Sequence, residues 1–189
     1  MTFDLRRSLR RIKPHRFTRP LQRRSRSELP FVSALPGPGK PLLLDTCVYI
    51  DVLRGKTPAA VDALLGQCTV NHLSVCVAEL THSFGRLDPR HAGTDETLQK
   101  VTRAVDAIPH HRLATASEAV IIEAGILAGL VFRLFNLQPG QEVAALTDAT
   151  IYLHALVNGL TVLTRNLRDF DALNQILPDG QVLFYNQTG

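Results

Sequence analysis

Beyond residue 40 the apolar positions switch repeatedly between two spacings. LLLD (42–45) is a short, wholly apolar run stopped by an acid, and it predicts a buried strand. TCVYIDVLRG follows as a helix-like segment ending at Gly55. TPAAVDALLGQ sets Ala60, Ala63 and Leu64 on one helical face, with Pro58 suited to a first turn. TVNHLSV predicts a strand, and VCVAELTHSFGRL a helix capped by Ser74 and closed by Gly85. TDETLQKVTRAVDAI predicts a helix with Thr94 as its cap and Leu98, Val101, Val105 and Ile108 as its apolar stripe. HRLATA reads as a short strand. Thr115 and Glu118 then have the spacing of a capping box for the long helix EAVIIEAGILAGLVFRLF. AALTDATIYLHALVNG is another helix with an Asn-Gly stop, LTVLT a strand, RDFDALNQI a short helix and QVLFY a last strand.

Strands that are apolar throughout, alternating with helices, predict an α/β fold: three layers, α/β/α, around a central parallel sheet. In such sheets, sites form beyond the carboxyl ends of the strands. That rule decides which polar residues matter.

Charge divides the chain. The formal net charge is +4. Residues 1–40 hold nine Arg and two Lys against Asp4 and Glu28, whereas residues 41–189 hold ten basic and fifteen acidic residues. The globular part is therefore acidic. The segment RRSLRRIKPHRFTRPLQRRSRSELP is interrupted by Pro14 and Pro20, and LPGPGKP reads as a linker. The expected organisation is a basic, flexible arm over 1–40 and one domain over 41–189. The arm is either a solvated tail or a segment that binds RNA or a partner through its arginines. Cys47, Cys68 and Cys76 form no CxxC pair, which argues against a disulfide framework or a zinc site and for a reducing, cytoplasmic location. The apolar run 119–130 is too short for a membrane span and contains Glu123.

Four acids draw notice. Asp45 ends the first strand. Glu79 lies in the early turns of the helix after TVNHL. Asp148 lies in an otherwise apolar and threonine-containing helix. Asp169 opens the helix after LTVLT, three residues beyond Asn166. Each has an ordinary explanation. Asp45 suits an N-cap. Glu79 and Asp148 suit solvent-facing positions, and Asn166 with Asp169 suits a cap and its acidic partner. Together they carry more weight. Carboxylates gathered at one sheet edge repel one another unless they are protonated or share a cation. Oxygen-only donors suit Mg²⁺, with Mn²⁺ as a substitute, and a hydrated ion so held positions water and stabilises a phosphodiester under in-line attack.

LLLDTCVYIDVL, SVCVAEL and LTDATIYLHALVNGLTVLTRNLRDF together resemble the PIN domain, specifically the VapC-type toxins of bacterial toxin–antitoxin pairs. The resemblance covers about 41–185. It implies a Mg²⁺-dependent endoribonuclease, a hydrolase whose partners are RNA and a cognate antitoxin protein, and which forms a homodimer. It implies Asp45 and Asp148 as principal metal ligands, Glu79 as a ligand directly or through water, and Asp169 or Asn166 as the fourth member. Thr46 matches the family's Asp-Ser/Thr pair, and Thr164 would steady the site. Arg165 and Arg168, beside the acids, suit contacts to RNA phosphates or local charge balance. The basic extension departs from the compact toxins.

Three rival readings remain at this level. One is a phosphohydrolase with Asp45 as nucleophile, although such enzymes want a second Asp two residues on, where Cys47 stands. Another is a non-catalytic RNA-binding module working through the arm. The third is a PIN nuclease of RNA processing without an antitoxin. The histidines at 72, 82, 91, 110, 111 and 154 share no ligand spacing. Gly125 and Gly129 suit close helix packing. Val131, Phe132, Leu134 and Phe135 suit the core or a partner surface.

Overall fold

The computed structural model describes residues 4–32 and 39–188; most of the Pro/Gly linker lies outside the described residues. The elements run α1 (Leu5–Ile12), β1 (Leu42–Leu44), α2 (Thr46–Leu53), α3 (Ala59–Gln67), β2 (Val70–Leu73), α4 (Ser74–Arg86), α5 (Thr94–Asp106), β3 (Leu113–Ala114), α6 (Glu118–Leu134), α7 (Glu142–Asn158), β4 (Thr161–Thr164), α8 (Leu167–Ile176) and β5 (Gln181–Phe184). The five strands form one sheet in the order β3-β2-β1-β4-β5, parallel throughout. The fold is the three-layer α/β/α arrangement around a central parallel sheet that the apolar strands predict.

Strand β1 sits in the middle because all three of its leucines are buried. Leu43 pairs with Asn71 of β2 on one side and Val162 of β4 on the other. From β1 the chain winds outward through β2 to β3. It then crosses back through α6 and α7 to β4 on the opposite flank of β1. The direction of winding therefore reverses between β1 and β4. In open parallel sheets that reversal opens a crevice at the carboxyl edge.

Helix α7 is buried over most of its circumference, from Ala145 through Ala155, and packs against α6. It ends where Gly159 takes a left-handed φ of 65°, a conformation that glycine adopts without the Cβ clash of other residues. Some local details differ from the sequence reading. The cap of α6 is Ser117, which accepts from the Val120 N–H, and not Thr115. Helix α5 starts from Gly93, and the Thr94 hydroxyl donates to the Asp88 carbonyl at 2.7 Å. Ser74 is the first residue of α4 and makes no capping bond, and α4 runs past Gly85 to Arg86. A Cβ added at Gly125 or Gly129 would meet nothing within 4 Å, so neither glycine serves close packing. Val131 and Leu134 are core residues; Phe132 and Phe135 pack partly buried against the core.

The larger difference lies in the extension. Residues that read as a flexible arm are folded onto the domain. Ile12 is 2% exposed and Leu29 is also buried. Arg11 forks onto Glu123 of α6, and Arg24 pairs with Asp171 of α8 at 2.6 Å. Phe31 forms a parallel bridge with Phe184, so the extension covers the open edge of β5. The Val32 N–H donates to the Phe184 carbonyl, and the Phe184 N–H to the Pro30 carbonyl, both at 2.8 Å. Exposed edge strands are templates for unwanted pairing, and covering one is a recurrent remedy. Among the described residues no helix is long and apolar enough to cross a membrane.

Candidate active site

The crevice at the carboxyl edge is a cavity of about 600 Å³ whose walls include Asp45, Thr46, Cys47, Glu79, Asp148, Arg165 and Asn166. Asp45 follows β1 directly and occupies the N-cap position of α2, yet its side chain makes no capping bond. Instead it accepts from the Thr164 hydroxyl at 2.6 Å and the Cys47 thiol at 2.9 Å. Thr164 lies at the same level because β1 and β4 are in register, Leu44 opposite Leu163. The Thr164 oxygen also receives the Asn166 N–H at 2.9 Å, which ties the start of α8 to the site.

Asp148 reaches this edge through the geometry of α7. The helix returns antiparallel to β4, and Asp148 lies ten residues before its last residue, Asn158. Ten residues of helix rise roughly 15 Å, close to the roughly 13 Å that four strand residues span. Asp148 therefore comes level with the end of β4. Its carboxylate accepts from the Asn166 amide at 3.2 Å. Glu79, exposed at the mouth, accepts from the Thr46 hydroxyl.

Burial pushes the carboxyls of Asp45, Glu79 and Asp148 above their ordinary values, Asp148 furthest. For Asp148 the charges of Asp45, Asp169 and Glu79 add to the shift. Hydrogen bonds from Cys47 and Thr164 oppose it at Asp45, and that from Thr46 opposes it at Glu79. None of the three pairs with Arg or Lys among the described residues, although Arg26, Arg165 and Arg168 stand on the same walls. Arg165 is committed to Asp51 at 2.7 Å. The Cys47 thiol is pushed up by burial and by Asp45, so it is no nucleophile.

Asn166 and Asp169 take different places. Asn166 lines the cavity and caps α8, accepting the Asp169 N–H at 3.2 Å. Asp169 is not part of the wall; its carboxylate lies 3.6 Å from Arg168. Cys47 and Arg26 are wall residues that the sequence reading did not single out. Cys47 had a signal, its position two residues after Asp45; Arg26 had none.

Among the described residues no three acidic, histidine or cysteine side chains close into a ready-made metal cage. The donor chemistry still fits a hard cation. The groups are all oxygen, none forms an ion pair with Arg or Lys among the described residues, and the cavity has room for water. Mg²⁺ typically keeps several waters and takes only one or two carboxylates. Asp45 and Asp148 are the inner pair able to hold it, with Glu79 at the mouth.

No family model and no curated protein matches the chain. Solved structures do. A chain of VapBC2 from Rickettsia felis, bound to a DNA fragment from their promoter, superposes with a TM-score of 0.54 at 16% identity, covering 77% of this chain and 98% of that one. FitAcB from Neisseria gonorrhoeae gives 0.53 at 20% identity, covering 76% and 96%. DNA-bound VapBC from Salmonella typhimurium gives 0.52 at 19%, covering 76% and 97%. At these identities the likeness defines a shared fold. Each neighbour is matched almost end to end, whereas part of this chain has no counterpart in it.

Proposed function

We propose that this chain is a Mg²⁺-dependent PIN endoribonuclease and the toxin of a toxin–antitoxin pair. The observation that carries the reading is the convergence of Asp45, Asp148 and Glu79 on one cavity at the winding reversal, with no Arg or Lys paired to them among the described residues. The toxin assignment draws on the fold shared with VapBC and FitAB complexes. It carries with it an antitoxin partner and assembly as a homodimer.

In this reading Asp45 and Asp148 hold the cation, and Glu79 joins them directly or through water. Mg²⁺, replaceable by Mn²⁺, would supply a positioned water and offset the charge of the attacked phosphodiester. Thr164 and Cys47 both donate to the same Asp45 oxygen, which holds the carboxylate in place. Asn166 holds Asp148 through a neutral amide, which orients the carboxylate without cancelling its charge. With Asn166 on the wall and Asp169 off it, three carboxylates face the cavity. That favours one well-held cation over two.

Asp45→Asn and Asp148→Asn each lower the rate of RNA cleavage more than about 100-fold, the upper range for changes one shell further out. Both relieve growth inhibition on expression and leave the circular-dichroism spectrum unchanged. Wild-type cleavage rates in both folded variants would end the nuclease reading. Undiminished toxicity beside a co-expressed neighbouring small gene product would end the antitoxin part alone.

A further inference from the structure

The docked extension brings arginines to the side of the acidic cavity. A second cleft, about 360 Å³, is lined by Arg23, Arg24, Arg26, Leu29, Leu167, Arg168 and Asp171. Arg26, Leu167 and Arg168 also line the acidic cavity, so the two adjoin through a shared wall. The arginines are not equivalent. Arg24 is neutralised by Asp171. Arg23 donates to the Arg168 carbonyl at 2.6 Å and lies 5.5 Å from the Phe135 ring centroid. Arg26 donates to Asn186 and lies 5.2 Å from the Phe31 centroid. Glu28, the acid nearest in sequence, turns back onto Ser25, accepting from its N–H at 2.8 Å and its hydroxyl at 2.6 Å. Arg23 and Arg26 are thus exposed and held in place by neutral groups, with no carboxylate partner among the described residues. Arg168 has only Asp169, at 3.6 Å.

We propose that Arg23, Arg26 and Arg168 form a phosphate-binding cleft for the backbone of single-stranded RNA, flanking the phosphodiester at the acidic cavity. The extension is then part of the substrate site. The inference rests on the ribonuclease reading of that cavity and names how its substrate is held. Residues 41–189 carry five more acidic than basic residues (fifteen against ten) and repel a polyanion; the extension supplies the opposing charge. Guanidinium groups match phosphate oxygens as two-pronged donors, and neutral restraint of the side chain lowers the entropy lost on binding. An acidic peptide is the other polyanion of suitable charge. It has no group that needs both an arginine cleft and an adjoining set of unpaired carboxylates, whereas a phosphodiester chain does.

The test uses the full-length chain in EDTA, so that binding is read without cleavage. The probe is a fluorescein-labelled oligouridylate of about a dozen nucleotides, a length that spans such sites. Its anisotropy is followed between about 50 and 200 mM salt. Arg23→Ala with Arg26→Ala should weaken binding about tenfold or more at the low-salt end, and should flatten the log–log salt slope by about 1.4, near 0.7 per lost phosphate contact on a single strand. Arg23→Lys with Arg26→Lys, which keeps the charge, should retain most of the slope. An unchanged slope in the alanine pair overturns the cleft. So does loss of binding in the lysine pair with an unchanged melting temperature, or arginine-dependent binding of a glutamate-rich peptide tighter than that of the RNA. Asp148→Asn separates the two readings. Wild-type cleavage in that variant with an arginine-dependent slope overturns the nuclease and leaves the cleft. Loss of cleavage with an arginine-independent slope does the reverse.

Discussion

Two groups of buried and half-buried acids in this molecule are treated in opposite ways. Asp51, fully buried, meets Arg165 and the Tyr185 hydroxyl, both at 2.7 Å, and the Gln187 amide. Asp171 meets the Arg24 side chain and its N–H, and Glu123 meets the fork of Arg11. In each case the chain supplies its own cation. Among the described residues Asp45 and Asp148 receive hydroxyl, thiol and amide donors and no Arg or Lys. Basic residues are not lacking there, since Arg165 stands on the same cavity wall yet spends its charge on Asp51. Burying an ion pair costs desolvation, and leaving a buried charge unpaired costs more. The paired acids belong to the architecture. The unpaired ones are where the proposed cation would bring charge from outside.

The comparison can be broken first at its most buried member. Arg165→Ala strands Asp51, and removing one partner of a buried pair costs about 3–5 kcal/mol. The half-exposed position of Arg165 and the remaining Tyr185 and Gln187 donors place the expectation at the low end of that range. Chemical denaturation should show the loss, and adding Asp51→Asn should recover part of it. The same loss with and without divalent cation marks Asp51 as structural. A loss that added Mg²⁺ repairs would place Asp51 with the other group.

Arg24→Ala should cost somewhat less, about 2–3 kcal/mol, because the Gln175 amide still reaches Asp171 at 3.0 Å and Arg24 itself is partly exposed. It also loosens the extension. Limited proteolysis between residues 13 and 26 should therefore speed up in this variant before the domain itself unfolds. Unchanged proteolysis would mean that Ile12 and Leu29 hold the extension without the ion pair.

What the sequence made legible follows the range of the signal. Strand β1, the αL stop at Gly159 and the Asn166 cap are written within four or five neighbouring residues, and they stand where the pattern puts them. Asp45 and Thr164 come together because two apolar strands lie parallel, which the fold class implies. The extension was not legible. Its buried anchors are single leucine or isoleucine residues, Ile12 among basic neighbours and Leu29 behind a Ser/Arg-rich run, and the acids that receive Arg11 and Arg24 lie more than a hundred residues away. Arg165 and Asp51 are likewise 114 residues apart, so nothing local shows that this arginine is spent. The N-cap of α6 failed for the opposite reason. ATAS offers two capping hydroxyls, Thr115 and Ser117, and only packing chooses Ser117.

The unpaired group can be sharpened by the smallest of these changes, read as stability without metal. The folded chain holds protons on Asp45, Asp148 and Glu79 more tightly than the unfolded chain does, because burial pushes all three carboxyls up. Their contribution is fully present below the ordinary carboxylate range, near pH 4. It is lost as pH rises through the raised folded values, since the unfolded chain then binds fewer protons than the folded one. In EDTA, Asp148→Asn should remove part of that decline, so the variant melts above the wild type at neutral pH and the two converge near pH 4. An effect of ~1 kcal/mol moves the midpoint of a chain of this size by roughly 2–4 °C. Added Mg²⁺ should reverse the order by stabilising the wild type alone. A variant less stable than wild type at neutral pH in EDTA would show that Asp148 is held by the fold as firmly as Asp51, and the contrast between the two groups would fall.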